Sequence, residues 1–167
     1  MLPLHTTQLS LYNYDEIPAG YYYRVMLEGR PEQRFWHKKK FAEVASHLPQ
    51  EGQILDIGCG PGSFLDVMAR ERPRLRGLGV DIASSQIEFA REHIASKHGG
   101  RISFESVRPC GPIPYPDRHF DAVTCIEVIE HIHPFLALRL LNEARRVLKP
   151  NGRLVVTTPN YRSASSD

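Results

Sequence analysis

Five short apolar runs, with a stretch of helical period between all but the third and fourth, restrict this chain to one kind of architecture. The runs are Gln53 to Ile57, "GLGVDI" (77–82), "RISFESV" (101–107), "FDAVTCI" (120–126) and "RLVVTTPN" (153–160). Before the first, Phe41, Val44, Ala45 and Leu48 fall at i, i+3, i+4 and i+7, one face of a helix. After it, Leu65, Met68 and Ala69 share a helical face that ends before Pro73. Ile87, Ala90, Ile94 and Ala95 form another, with an S-x-x-E capping box at Ser85 and Glu88 to open it and Gly99-Gly100 to stop it. A last helix is predicted from about Pro134 to Val147, closed by the turn signal "KPNG". "FDAVTCI" is apolar almost throughout, as a strand is when helices cover both faces of its sheet. Alternation at this spacing predicts right-handed βαβ units, a mainly parallel sheet and an α/β fold of three layers.

Residues 1–34 differ in character. "YNYDEIPAGYYYRVMLEGRPEQRFW" is aromatic-rich and interrupted by Pro and Gly, and reads as an irregular or short-helical lead-in. Its tyrosines, with Trp36 and His37, are either core or a lid over the strand ends, and the lid is preferred. Residues 35–160 form the core domain and 161–167 a flexible tail. No apolar stretch is long enough to span a membrane. The net charge of +2 does not suggest a dedicated nucleic-acid binder, and the basic clusters "RFWHKKK" (34–40) and "RERPRLR" (70–76) read as solvated faces. Three cysteines (Cys59, Cys110, Cys125) lack zinc-ligand spacing, and the N-terminus lacks a secretory signal, which together point to a reducing, cytoplasmic setting.

The first strand runs into "GCGPG", in the strand-to-helix turn where a parallel sheet receives its ligand. Gly58, Gly60 and Gly62 let the chain turn sharply and approach a bound molecule closely. The dinucleotide fingerprint needs its third glycine at position 63, which is Ser63, and no phosphate loop is present. Asp56 stands at the lip of this cradle, favouring a cation over a polyphosphate. Asp81 ends the second strand, 21 residues beyond Gly60, where an acid accepts hydrogen bonds from ribose hydroxyls. A nucleoside without phosphates, carrying positive charge near Asp56, describes S-adenosylmethionine.

On these residues the sequence resembles the class I S-adenosylmethionine-dependent methyltransferases. "ILDIGCGPGSF" and "GVDIASSQIEFAR" are similar to the first two family motifs; "IPYPDRHFDAVTCIEVIEHI" and "ARRVLKPNGRLVVTTPN" are similar to later ones, so the match covers about residues 51–160. The resemblance implies a Rossmann-like sheet of order 3-2-1-4-5, without the family's strands 6 and 7, so that the fifth strand is an apolar edge open to self-association. It implies that Gly58, Cys59 and Gly60 line the methionine moiety, Asp81 holds the ribose, Ile82 packs on adenine and Glu127 faces the cofactor. The family's acidic contact to the adenine amino group is replaced by Pro109, which hands that contact to backbone near Cys110. The implied activity is methyl transfer to a small-molecule or lipid acceptor, with RNA not excluded and no metal expected. Two other readings stay open: a non-catalytic S-adenosylmethionine-binding module, and a nicotinamide-dependent oxidoreductase.

"EVIEHIH" places Glu127, Glu130 and His131 at i, i+3 and i+4, one face if the segment is helical, and adds His133. Metal binding there is the minor reading and a cofactor-side structural motif the major one. His131 as a general base is not assigned. Cys59 reads as a small residue in a crowded turn rather than a nucleophile, and His119 as an exposed turn residue.

Overall fold

A computed structural model describes residues 14–109 and 111–160. Its helices and strands follow in the order α1 (Tyr21–Glu28), α2 (Pro31–Ser46), β1 (Gly52–Ile57), α3 (Ser63–Glu71), β2 (Leu75–Asp81), α4 (Ser84–His93), β3 (Ile102–Ser106), β4 (Phe120–Ile126), α5 (Pro134–Val147) and β5 (Leu148–Thr157). The five strands form one sheet of order β3-β2-β1-β4-β5, with every neighbouring pair parallel.

Period-2 alternation in the central strands feeds two cores. In β1, Ile54 points to one face and Leu55 to the other, and both are fully buried. Ile54 joins Phe41, Val44, Leu65, Met68, Ile87 and Ile102 under α1–α4. Leu55 joins Val80, Phe120, Val123, Ala144 and Val147 under α5. Those faces explain why the helical periods were legible: Leu65, Met68, Ala69, Ile87, Ala90 and Ile94 are all buried.

Three local expectations change. The capping box at Ser85 and Glu88 does not form; α4 begins two residues earlier, at Ser84, capped by Ala83 without a side-chain bond. The N–H of Ala83 is instead taken by Asp81 Oδ1 at 2.9 Å, so the carboxylate that ends β2 also shapes the turn into α4. "KPNG" does turn, but inside β5: the register jumps from Phe120 opposite Leu148 to Ala122 opposite Arg153, with Asn151 at φ 64° in the bulge. The basic cluster at 70–76 is not wholly solvated. Arg72 is 8% exposed and donates to the carbonyls of Ala45, Leu48 and Pro49, tying α2 to the end of α3.

The described part of the aromatic lead-in is short-helical, with a 3₁₀ turn at Tyr14–Glu16, α1 and the start of α2 separated by non-helical residues. Tyr23 is buried, whereas Tyr21, Tyr22 and Trp36 are exposed, and α2 runs unbroken through residues 34 and 35. No described helix is long and apolar enough to cross a membrane.

Candidate cofactor site

The turn after β1 lies at the C-terminal end of the sheet and is held from two sides. Gly58 and Cys59 donate their N–H groups to the carbonyl of Val80 at 2.8 and 3.2 Å. Gly60 donates to Asp81 Oδ2 at 2.7 Å. The Asp81 carboxylate therefore bridges the turns after β1 and β2, one oxygen to each.

The three glycines have different reasons. All lie at positive φ. A Cβ on Gly58 would stand 2.3 Å from Val128 and one on Gly62 2.6 Å from Phe104, so neighbouring side chains demand those two. A Cβ on Gly60 would meet nothing within 4 Å. The space that its missing side chain leaves open belongs to the cradle, beside Asp81 and the N-terminus of α3, whose first N–H groups have no partner within the helix. Ser63, the first residue of α3, has a buried hydroxyl with no hydrogen-bond partner among the described residues.

Asp56 is not at the lip. It is 2% exposed beneath the turn and accepts a 2.7 Å hydrogen bond from Thr124 Oγ1, a partner the sequence did not single out. Burial raises its carboxyl to about 7, the Thr124 hydroxyl works against that rise, and the Asp81 charge adds to it. Cys59 is buried with its sulfur toward Gly79, leaving only its backbone for a ligand. Burial, with the charges of Asp81 and Asp56, pushes its thiol well above the ordinary range, and burial likewise pushes Cys125 to about 12. Neither is an activated nucleophile. Ile82 follows Asp81 with 38% of its surface exposed, an apolar face beside the cradle. Cys110 lies outside the described residues, and Pro109 before it is exposed.

Glu127, the residue after β4, has φ 54°, which breaks the helical reading of 127–131; only Ile129–His131 forms a 3₁₀ turn. Its N–H is held by the carbonyl of Thr157 at 3.0 Å, and its carboxylate meets the Lys40 ammonium at 2.5 Å. Lys40 belongs to the basic cluster read as solvated, yet its side chain is only 11% exposed. His37, one turn earlier on the same helix face, has a buried Nδ1 without a partner among the described residues; burial, then Lys40, lower its pKa, partly offset by Glu127. Helix α2 thus reaches the C-terminal end of β4.

The histidines of "EVIEHIH" go different ways. His131 is exposed, 3.8 Å from Glu130, and His133 caps α5 by accepting the N–H of Phe135. Among the described residues no three His, Cys, Asp or Glu side chains gather as a metal site. His119 is half-buried rather than exposed, against the rings of Tyr115 and Phe120.

A family profile for the methyltransferase domain matches residues 29–167. The chain belongs to that family, within the class I S-adenosylmethionine-dependent methyltransferases. A ubiquinone/menaquinone biosynthesis C-methyltransferase of Geotalea daltonii is 32% identical, over 77% of this chain and 54% of its own length. A ubiquinone biosynthesis O-methyltransferase of Neisseria meningitidis is also 32% identical, over 65% of this chain and 44% of its own. This methyltransferase-family chain spans about half the length of the curated relatives it matches. Among solved structures, a Pyrococcus horikoshii protein superposes with a TM-score of 0.69 at 27% identity, covering 80% of this chain and 61% of its own. A [4+2]-cyclase superposes with a TM-score of 0.65 at 29% identity, covering 72% and 44%.

Proposed function

We propose that this chain is the cofactor-binding core of an S-adenosylmethionine-dependent methyltransferase. The observation that carries the reading is Gly60, whose N–H is fixed by Asp81 and whose missing side chain leaves open space over the turn. Bound S-adenosylmethionine supplies a methyl group already activated on a sulfonium. The chain's own work is therefore to bind, orient and exclude water. In this reading Asp81 accepts from the ribose hydroxyls, Ile82 covers the adenine, and Gly58, Cys59 and Gly60 offer backbone to the methionine part. Asp56 supports the turn from below and supplies negative charge under it, and Gly62 starts the helix that faces the cradle. Glu127, set by Lys40, closes the side toward β4, and the lead-in of residues 1–34 acts as a lid. The backbone near Cys110 meets the adenine edge. No metal takes part.

A small-molecule or lipid acceptor is favoured by the relatives named for quinone biosynthesis, and RNA is a weaker alternative. The edge of β5, with Leu154 38% exposed, pairs with a second strand and gives self-association. A cytoplasmic location is part of this reading, supported by Cys59 and Cys125 being free thiols.

The fold alone does not fix the reaction, since a protein named for cyclisation shares it. Binding without methyl transfer is accordingly the second reading. Equilibrium titration with S-adenosylmethionine and with NADH tests the cofactor assignment. Saturable binding of the first alone is expected; preference for NADH would overturn the reading in favour of an oxidoreductase.

A further inference from the structure

We propose that the chain carries a second site, for a phosphate group, at the end of the sheet away from the glycine turn. An open surface concavity of about 390 Å³ lies there, lined by Tyr23 of α1, Asp66 and Arg70 of α3, Lys97 and His98 of the 3₁₀ turn after α4, and Arg101 before β3. Pro73 and Arg101 immediately precede β2 and β3, which places the concavity at the N-terminal ends of parallel strands whose C-terminal ends carry the cradle.

Its charges do not balance. Asp66, the one carboxylate in the wall, is 1% exposed and already saturated: Tyr23 Oη donates to it at 2.9 Å, His98 Nε2 lies 2.8 Å away, and Arg70 forms an ion pair with it. Arg70 and Asp66 cancel. Lys97 then stands 3.4 Å from the Tyr23 hydroxyl and 5.4 Å from that ring's centre, and the Arg101 guanidinium donates to the carbonyls of Ala69 (3.1 Å) and Leu75 (3.4 Å). Neither has a carboxylate within ion-pair distance among the described residues.

A free surface lysine ordinarily swings into water, but Arg101 is held by two carbonyls and cannot follow. Two cations without counter-charge therefore face one concavity, and Arg70 keeps donors that Asp66 does not use. A fork of guanidinium donors beside a point-charge ammonium suits a phosphate, which carries close to two negative charges near neutral pH. The volume, within the range of about 300–1,000 Å³ for ligand pockets, leaves room for a small organic group beyond the phosphate. The ligand class is inorganic phosphate or a small phosphate monoester. The site is independent of the cradle.

The test is a titration of the ¹⁵N-labelled chain with inorganic phosphate, and separately with glycerol 3-phosphate, at constant ionic strength against chloride. Saturable amide shifts confined to Tyr23, Arg70 and residues 97–101 are expected. Lys97→Glu should weaken binding by about tenfold or more, the scale of losing a charge-assisted hydrogen bond. Lys39→Glu, an exposed charge on α2, should leave it within about twofold. Tighter binding of the monoester would assign a phosphorylated small molecule, and equal binding inorganic phosphate itself. Shifts spread over the basic residues of α2, or equal losses in both variants, would overturn the proposal. Lys97→Gln serves as the second variant if the reversal disturbs the fold.

Discussion

Asp56→Asn is the most informative single change, because the buried carboxyl and its Thr124 partner connect stability to the cradle. The rise from 3.8 to about 7, at ~1.4 kcal/mol for each pH unit, makes the ionised carboxylate cost ~4 kcal/mol above pH 8. Between those two values the folded chain holds a proton that the unfolded chain has released, so stability falls as pH rises through that window. Asparagine keeps an oxygen for Thr124 Oγ1 but cannot ionise. It also introduces a buried NH₂ that costs ~1–3 kcal/mol if unpaired, a penalty that does not depend on pH. The pH dependence therefore isolates the carboxyl. From pH 5 to pH 8.5 the stability of the variant should gain ~2–3 kcal/mol relative to the original chain, read from urea unfolding at several pH values. A change below ~1 kcal/mol across that range would refute the reasoning. In the proposed cofactor complex a sulfonium above the turn favours the ionised form. The ratio of S-adenosylmethionine to S-adenosylhomocysteine affinity should thus rise with pH through 7 in the original chain and stay flat in Asp56→Asn.

Gly62→Ala forces a side chain into φ 81° and to 2.6 Å from Phe104, so a loss of ~2 kcal/mol or more is expected in urea unfolding. Lys40→Met and Glu127→Gln, alone and together, should show a coupling of ~1 kcal/mol in a double-mutant cycle, since the pair is well shielded from water; additive losses would mean that the contact does not form. On the acid side, Asp121 is pulled up by burial but more strongly down by the Gln53 N–H and Lys149, and Glu143 is held down chiefly by Arg146. Both are lowered in the folded chain. Their stabilisation is present above the ordinary carboxyl values and is lost as pH falls through the depressed ones, so unfolding midpoints should drop below about pH 4, and less so in Glu143→Gln.

What could be read from the sequence was whatever repeats locally. The faces Leu65–Met68–Ala69 and Ile87–Ala90–Ile94 are buried because a 3.6-residue period leaves few alternatives once a sheet lies beneath. The strand order came from resemblance to a family, since apolar runs do not say which neighbours pair. The failures arise where a tertiary contact or the geometry of a turn overrides what a local pattern suggests. No side chain caps α4 where Ser85 was expected to; Asp81, two residues before Ala83, holds the Ala83 N–H in the turn instead. Lys40 left solvent because Glu127 lies 87 residues away in sequence and 2.5 Å away in space. Asp56 sits beneath the turn because the open face of the cradle is at Gly60, a distinction invisible in "GCGPG". The Tyr23–Asp66–His98 cluster joins three segments with no shared motif.

The central claim is that the space over Gly60 and Asp81 holds S-adenosylmethionine. Calorimetric titration of the 167-residue chain and of its Asp81→Ala variant with S-adenosylmethionine tests it most directly. The account predicts saturable binding that weakens by about tenfold or more in the variant, because the Gly60 N–H loses its acceptor and the ribose loses its carboxylate. Equal affinity in the two folded proteins, or no binding to the original chain, would contradict it.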